Sequence, residues 1–395
     1  MKKITIGLFN DSFYPLFDGV TVVVDNYARE LSKYANVIVF VPHYMGNEMD
    51  DSVFPYQVVR CHSLKVPFLD YSLPIPKLDR KFLKELDKYN LDIIHIHSPF
   101  TIGMAGVDYA KKHHIPCIAT MHSQFKQDFM RAVRSEYLAT KLNNRLIKIF
   151  NKCDKCLAVN AETARIFTVD YGYRGEPLVM ENATDMKPLS DGKKARNYIN
   201  KKHNINKNEK VFLYVGRINA LKNIFFIADS LKAVKLKNPR LRFKMLYVGS
   251  GQDEEKLHEY IMKLGLDKEV IMCGKITDRD ELACYYKRAD LLLFPSLYDT
   301  SAIVRIEAAS QEKPGLFLEG SATASMITDN VNGFLSINTV GAYSDRILEI
   351  LDNKYLYDKV CKNAYVDLYK TWEGVAKETY KIYLEMIKEK KRRIF

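Results

Sequence analysis

Short apolar runs rich in β-branched residues recur along this chain, separated by stretches of helical period, and no other feature narrows its possible folds so far. ITIGLF (4–9), VIVFV (37–41), DIIHIH (92–97), CIAT (117–120), CLAV (156–159) and PLVM (177–180) form a first series. Their near-continuous apolarity is that of strands covered on both faces, the pattern of a buried parallel sheet. Between them, TVVVDNYARELSKY (21–34) sets Val23, Tyr27 and Leu31 four residues apart, with Arg29, Glu30 and Lys33 off that stripe. That is the period of an amphipathic helix. Strand alternating with helix predicts an α/β, doubly wound sheet.

A second series begins after SDGKKARNYINKKHNINKNEK (190–210), a polar and basic stretch that reads as a linker or helix-and-loop connection. VFLYVG (211–216), FKMLYVG (243–249), VIMCG (270–274), DLLLFP (290–295) and PGLFLEG (314–320) again alternate with helical stretches. A chain of 395 residues exceeds what one hydrophobic core usually supports. Two Rossmann-like domains are therefore expected, 1–195 and 205–370, facing each other across an interdomain cleft at the carboxyl ends of their strands. The C-terminal helix, about 376–395, carries Tyr380, Tyr383, Leu384 and Ile387 on one stripe and is expected to pack back on the first domain.

Lys plus Arg number 60 against 48 Asp plus Glu, a net charge of +12. That balance suits phosphates, anionic lipid or nucleic acid, but the basic residues are dispersed and no nucleic-acid motif accompanies them, so no nucleic-acid partner is expected. Seven cysteines at irregular spacing point to a reducing compartment rather than a disulfide framework. Cys153 and Cys156 form a CxxC without the second pair a zinc ribbon needs, and read as packing residues. The leading apolar run, Ile4 to Phe9, is short for a signal peptide, and no run reaches the length of a membrane span. The expected location is cytoplasmic, peripheral at the inner face of the cell membrane.

Two motifs carry chemistry. GRINALKN puts Arg217 just past a strand end and Lys222 five residues later. Such a pair can hold a diphosphate, Arg through a planar fork and Lys as a mobile point charge, unless both are plain surface cations. YDTSAIVRIEAAS places Asp299 before a helix starting near Ser301 or Ala302, and Glu307 in its second turn. The acids suit the two ends of an extended ligand, one taking sugar hydroxyls and the other a ribose. Alternatively Asp299 or Thr300 caps the helix and Glu307 pairs with a local cation.

Asp299, seven residues, then Glu307 followed by Ala308 resembles the E-x7-E signature of family 4 retaining nucleotide-sugar glycosyltransferases of the GT-B architecture. In the same order VGRINALKN is similar to that family's VGR-x4-KN, and VGSGQDEEKLHEYIMKLGLDKEVIMCGKI (248–276) and YYKRADLLLFPSLYDT to its following segments. LFNDSFYPLFDGV (8–20), HIHSPFTIG (95–103), ATMHSQF (119–125), MENATD (180–185), VNGFL (331–335) and TWEGVA (371–376) extend the resemblance over nearly the whole chain.

The resemblance implies roles. Arg217 and Lys222 would neutralise the leaving diphosphate, Glu307 would hold the ribose, and Asp299 would bind donor-sugar hydroxyls. The backbone of Thr300, Ser301, Ala302 and Ile303 would bond sugar or phosphate, and that of Gly274, Lys275 and Ile276 would face the base. Gly19 would let a first-domain loop approach the phosphates, and His122 would sit beside the sugar at the reaction centre. It implies retention, a nucleotide sugar (UDP-glucose first, GDP-mannose next), a lipid-linked, glycolipid or polysaccharide acceptor, and no cofactor or essential metal. An epimerase of the same architecture and a non-catalytic partner subunit are the alternatives.

The chain departs from the family pattern at Asp299, one methylene shorter than the usual Glu, at Ser301-Ala302 in place of Phe-Gly, at Asp18-Gly19 in place of Gly-Gly, and after His122. His95 reads as a packed, hydrogen-bonded histidine. KLNNRLIKIFNK (141–152) sets Leu142, Leu146 and Phe150 on one stripe among Lys141, Arg145, Lys148 and Lys152. It reads either as a core-facing helix with a wet basic side or as a face for an anionic bilayer.

Overall fold

The first apolar series forms a sheet whose seven strands all run parallel. The computed structural model describes residues 3–16, 18–46, 49–65, 72–297 and 299–394. Phe17, Tyr298 and Phe395, which fall within the sequence stretches quoted above, lie outside the described residues. In chain order the strands are β1 (Thr5–Phe9), β2 (Asn36–Pro42), β3 (Gln57–Cys61), β4 (Ser63–Lys65), β5 (Ser72–Pro74), β6 (Ile93–Ile96), β7 (Cys117–Met121), β8 (Lys155–Ala158) and β9 (Leu178–Val179). β4 and β5 pair with each other as an antiparallel ribbon, and the remaining seven lie in the order β3-β2-β1-β6-β7-β8-β9. Phe9 sits beside Phe40 of β2 and Ile96 of β6, so the carboxyl ends of the central strands are level. The winding direction reverses between β1 and β6. Loops leaving neighbouring strands in opposite directions open a crevice there, the usual place for a ligand in such sheets.

The second series repeats the plan with β10 (Lys210–Val215), β11 (Phe243–Val248), β12 (Val270–Gly274), β13 (Leu291–Phe294), β14 (Gly315–Leu318) and β15 (Phe334–Ser336). Their order is β12-β11-β10-β13-β14-β15, all parallel, with the reversal between β10 and β13. Leu213, Leu246, Leu292 and Leu316 on four adjacent strands are wholly buried. Burial of each contributes about 2 kcal/mol relative to exposure, which is why these strands carry apolar residues on both faces.

The chain divides into two compact units, Met1–Asn182 with Trp372–Phe395, and Ala183–Thr371. The boundary therefore falls at 182/183 and not at 195/205, and the stretch expected to link the domains belongs to the second unit. Its helix Gly192–Lys202 buries only Ala195 and Ile199. Two apolar anchors suffice to dock it but give little hydrophobic signal in a basic sequence. The C-terminal helix starts at Trp372, earlier than expected, and joins the first unit. There Tyr383 is buried against His95, and Trp372 packs edge-on to Tyr27 at 5.6 Å between ring centres.

Candidate functional site

Arg217 follows β10 and Asp299 follows β13, the two strands that flank the reversal in the second sheet. The loop that carries Arg217 lies close against the one leaving β11 because of Gly249, whose φ is +141° and whose missing Cβ would fall 1.8 Å from the Gly216 carbonyl oxygen. Only glycine fits there. The Gly216 N–H donates to Val248 O and the Ile218 N–H to Ser250 O, both at 3.0 Å, so the ladder continues past the strand ends and fixes the loop carrying Arg217.

One 3-10 turn, Ala220–Lys222, capped by Asn219, then leads through Asn223 in the left-handed conformation into the helix Ile224–Lys237. Asn223 Nδ2 donates to Pro295 O at 3.2 Å, tying this turn to the loop after β13. In consequence Lys222 Nζ donates to Asp299 Oδ1, although the residues are 77 positions apart. Their side chains are only 16% and 21% exposed. Asp299 Oδ2 is buried without a hydrogen-bond partner among the described residues. Arg217 is exposed and forms no ion pair among the described residues.

The following helix runs Ile303–Ser310, and its N-cap, Ala302, offers no side-chain bond. Neither Asp299 nor Thr300 is the cap, so the capping alternative fails for both. Glu307 does meet a local cation. Its side chain is 7% exposed, Oε1 accepts from Arg279 Nη2 and Oε2 from the Tyr286 hydroxyl, each at 2.7 Å. Burial pushes the Tyr286 phenol well up, so it stays protonated and donates. Arg279 Nη2 also reaches Asp185 Oδ1 at 2.5 Å and Thr184 Oγ1 at 3.3 Å, making Asp185, Arg279, Glu307 and Tyr286 one chain of charge-assisted bonds. Each Glu307 oxygen still has a second lone pair. Gly274 ends β12 with φ +68°, Lys275 is exposed and Ile276 half-buried.

In the first unit the candidates are Gly19 and His122. Gly19 opens the helix Gly19–Leu31, whose N-cap Asp18 accepts from Thr21 N at 2.7 Å. A Cβ there would touch nothing within 4 Å, so the position is open and the backbone does not itself require glycine. His122 directly follows β7 and is buried, its Nε2 3.1 Å from Nδ1 of His97, which directly follows β6. The His95 and His97 rings lie 4.0 Å apart. His95 is fully buried, with Nδ1 2.6 Å from the Tyr383 hydroxyl and Nε2 2.7 Å from Thr120 Oγ1, the packed and hydrogen-bonded state expected for it. Burial pushes His95 and His122 down to about 3, and burial with its two histidine neighbours holds His97 well below the usual imidazole range. All three are neutral at physiological pH.

Sequence reasoning missed several members of these networks. Tyr286 lies inside the quoted YYKRAD and Asp185 inside MENATD, so both were marked without a role. Arg279 opens the helix Arg279–Arg288 within the polar stretch TDRDE, which carries no distinguishing signal. Asp11, two residues after β1, accepts from Ile102 N at 2.7 Å and Gly103 N at 3.2 Å, and so caps the helix Thr101–His113, whose own N-cap Phe100 supplies no bond.

The basic stripe at 141–152 is split. Leu146 and Phe150 of the helix Glu136–Phe150 are core residues, whereas Leu142 is exposed beside Leu138 and Tyr137, the last 74% exposed. Lys141, Arg145 and Lys148 of the same helix are exposed to solvent. No helix among the described residues is long and apolar enough to cross a membrane.

Residues 17–186 match the family described as Glycosyltransferase Family 4, and residues 195–367 that described as Glycosyl transferases group 1. The chain is similar to the alpha-monoglucosyldiacylglycerol synthase of Acholeplasma laidlawii, 24% identical over 414 residues that cover 98% of this chain and 99% of the relative. It is also similar to the GDP-mannose-dependent alpha-mannosyltransferase of Corynebacterium glutamicum, 24% identical over 98% of this chain and 90% of the relative. Among solved structures, Anabaena HepE in complex with UDP and glucose superposes with a TM-score of 0.74 at 14% identity, covering 97% of this chain and 100% of that one. The two parallel sheets are those of the GT-B architecture.

Proposed function

We propose, from the premise that this chain belongs to glycosyltransferase family 4, that it moves glucose from UDP-glucose, with retention at the anomeric carbon, to a lipid or glycolipid acceptor at an anionic membrane face. The observation that carries this reading is the meeting of Lys222 with Asp299 at the point where the second sheet reverses, with the exposed Arg217 on the adjoining loop. Arg217 and Lys222 neutralise the charge that builds on the diphosphate as the bond from the anomeric carbon to phosphate oxygen breaks. Asp299 accepts from sugar hydroxyls. Glu307, oriented by Arg279 and Tyr286, uses its remaining lone pairs for the ribose hydroxyls. The backbone of Gly274, Lys275 and Ile276 faces the base, and the amides from Thr300 to Ile303 bond sugar or phosphate. Gly19 leaves room for the phosphates. His122, held neutral, offers the sugar a hydrogen bond without placing a second charge beside the forming oxocarbenium. The departing phosphate oxygen accepts the acceptor's proton. This division of labour asks for no metal.

Support for glucose and for a glycolipid acceptor comes from the named activity of the Acholeplasma relative. A thermal-shift screen of UDP, GDP and their sugar conjugates tests the donor. A ligand at 100 times its dissociation constant adds about 2.7 kcal/mol to the folded form, so UDP-glucose should raise the melting temperature by a few degrees and GDP-mannose leave it unchanged. A rise with guanosine ligands alone replaces the donor assignment.

The membrane part rests on Tyr137, Leu138 and Leu142 exposed among Lys141, Arg145 and Lys148. Each basic side chain near an anionic surface contributes about 1 kcal/mol. The protein should sediment with phosphatidylglycerol vesicles at low salt, and a Lys141→Glu, Arg145→Glu, Lys148→Glu variant should bind them at least about 100-fold more weakly. Recovery of wild-type protein in the supernatant removes the membrane from the proposal.

A further inference from the structure

We infer that Asp299 distinguishes an intact sugar donor from the spent nucleotide, by holding Lys222 until a sugar hydroxyl takes over its carboxylate. This rests on the reading of Arg217, Lys222 and Asp299 as the donor site. Lys222 Nζ is committed to Asp299 Oδ1 in the structure, and both side chains are mostly shielded from solvent. The carboxylate thus cancels a cation that the diphosphate needs. Its other oxygen, Oδ2, is buried and has no hydrogen-bond partner among the described residues. An acceptor in that state gains most from a ligand that brings a hydroxyl donor.

A nucleotide sugar supplies what the pair lacks. Its hydroxyls donate to Asp299 while its diphosphate takes up Lys222, so the carboxylate exchanges one partner for another. The spent nucleoside diphosphate brings no hydroxyl at that position. It must draw Lys222 from the carboxylate while giving Asp299 no hydrogen bond in return. The same side chain therefore favours the donor and disfavours the product, which speeds emptying of the site after transfer. Glu in place of Asp would reach one methylene further, and the short side chain keeps the acid against Lys222.

The test is calorimetric binding of UDP and of UDP-glucose (GDP and GDP-mannose, should the thermal screen select guanosine) to wild type, Asp299→Asn, Lys222→Ala and the double variant. Circular dichroism and thermal melting establish that each variant folds. Asp299→Asn keeps the shape and removes the charge. It should bind UDP about tenfold more tightly, the scale of one charge interaction in a partly shielded site, and UDP-glucose no more tightly than wild type does. In the Lys222→Ala background the same substitution should change UDP affinity less than about twofold, because no held lysine remains to release. Unchanged or weaker UDP binding by Asp299→Asn, with wild-type binding intact, overturns this inference and leaves the donor site standing. A tenfold gain that persists without Lys222 also overturns it, since simple repulsion would then account for the effect. Wild-type protein that binds neither ligand overturns both readings.

Discussion

Lys222→Ala is expected to lower kcat/KM for the proposed nucleotide-sugar donor by about 10³-fold, and Arg217→Ala by about 10²-fold, the range found when one preorganised donor is removed from developing charge. The difference follows from placement. Lys222 is shielded, at 16% exposure, where an ionic contact is weakly screened, whereas Arg217 is exposed and water competes for it. Lys222→Ala also strands Asp299, whose Oδ2 already lacks a partner among the described residues. Steady-state kinetics separate these effects from unfolding when the melting temperature is followed in parallel. Wild-type kcat/KM in both variants would remove the diphosphate assignment.

The second large effect concerns acid. His95, His97 and His122 are buried and neutral, with folded pKa values of about 3 for His95 and His122 and well below the usual range for His97. Unfolding returns each to about 6.5. A group whose folded pKa is depressed stabilises the fold fully above its unfolded value, and that contribution is lost as pH falls from about 6.5 toward the folded value. Each such histidine binds a proton only on unfolding, so stability falls by about 1.4 kcal/mol per pH unit per residue in that window. Together they cost about 4 kcal/mol between pH 6 and pH 5, a large part of an ordinary folding free energy. Urea melts at several pH values measure the slope, and His97→Asn should reduce it by about a third relative to wild type. A slope indifferent to that substitution would mean that His97 is already protonated or solvated in the fold.

Much of the fold was legible because buried parallel strands advertise themselves. ITIGLF, VIVFV and VFLYVG carry their apolarity unbroken, and each became a strand within a residue or two of its expected ends. β3 was missed because Gln57–Cys61, at the edge of its sheet, mixes Gln57 and Arg60 into a five-residue run, and Arg60 is spent on Asp51 and on carbonyl oxygens of Tyr14 and Pro42. β15, three residues long, lies below the length at which a run can be told from a loop.

Within the site, residue identity was readable and mutual contact was not. Lys222 and Asp299 were each assigned to a ligand, but their bond depends on β10 lying beside β13, a matter of strand order that local sequence does not encode. Glu307 was assigned a ribose, while the two side chains that orient it lie on one helix, Arg279–Arg288, the first in a polar stretch and the other, Tyr286, at a position that reads as packing. The cluster around His97 escaped for a related reason: neighbours across a parallel sheet are separated in sequence by an entire crossover.

The helix that starts at Trp372 sets an order on synthesis. His95 is translated early, yet the hydroxyl that meets its Nδ1 belongs to Tyr383, 288 residues downstream. A ribosome therefore completes the whole of Ala183–Thr371 before the first unit can close over its own histidine. Until the last helix leaves the exit tunnel, the newborn amino-terminal half carries an imidazole that water must serve, and it is then most open to chaperones and proteases.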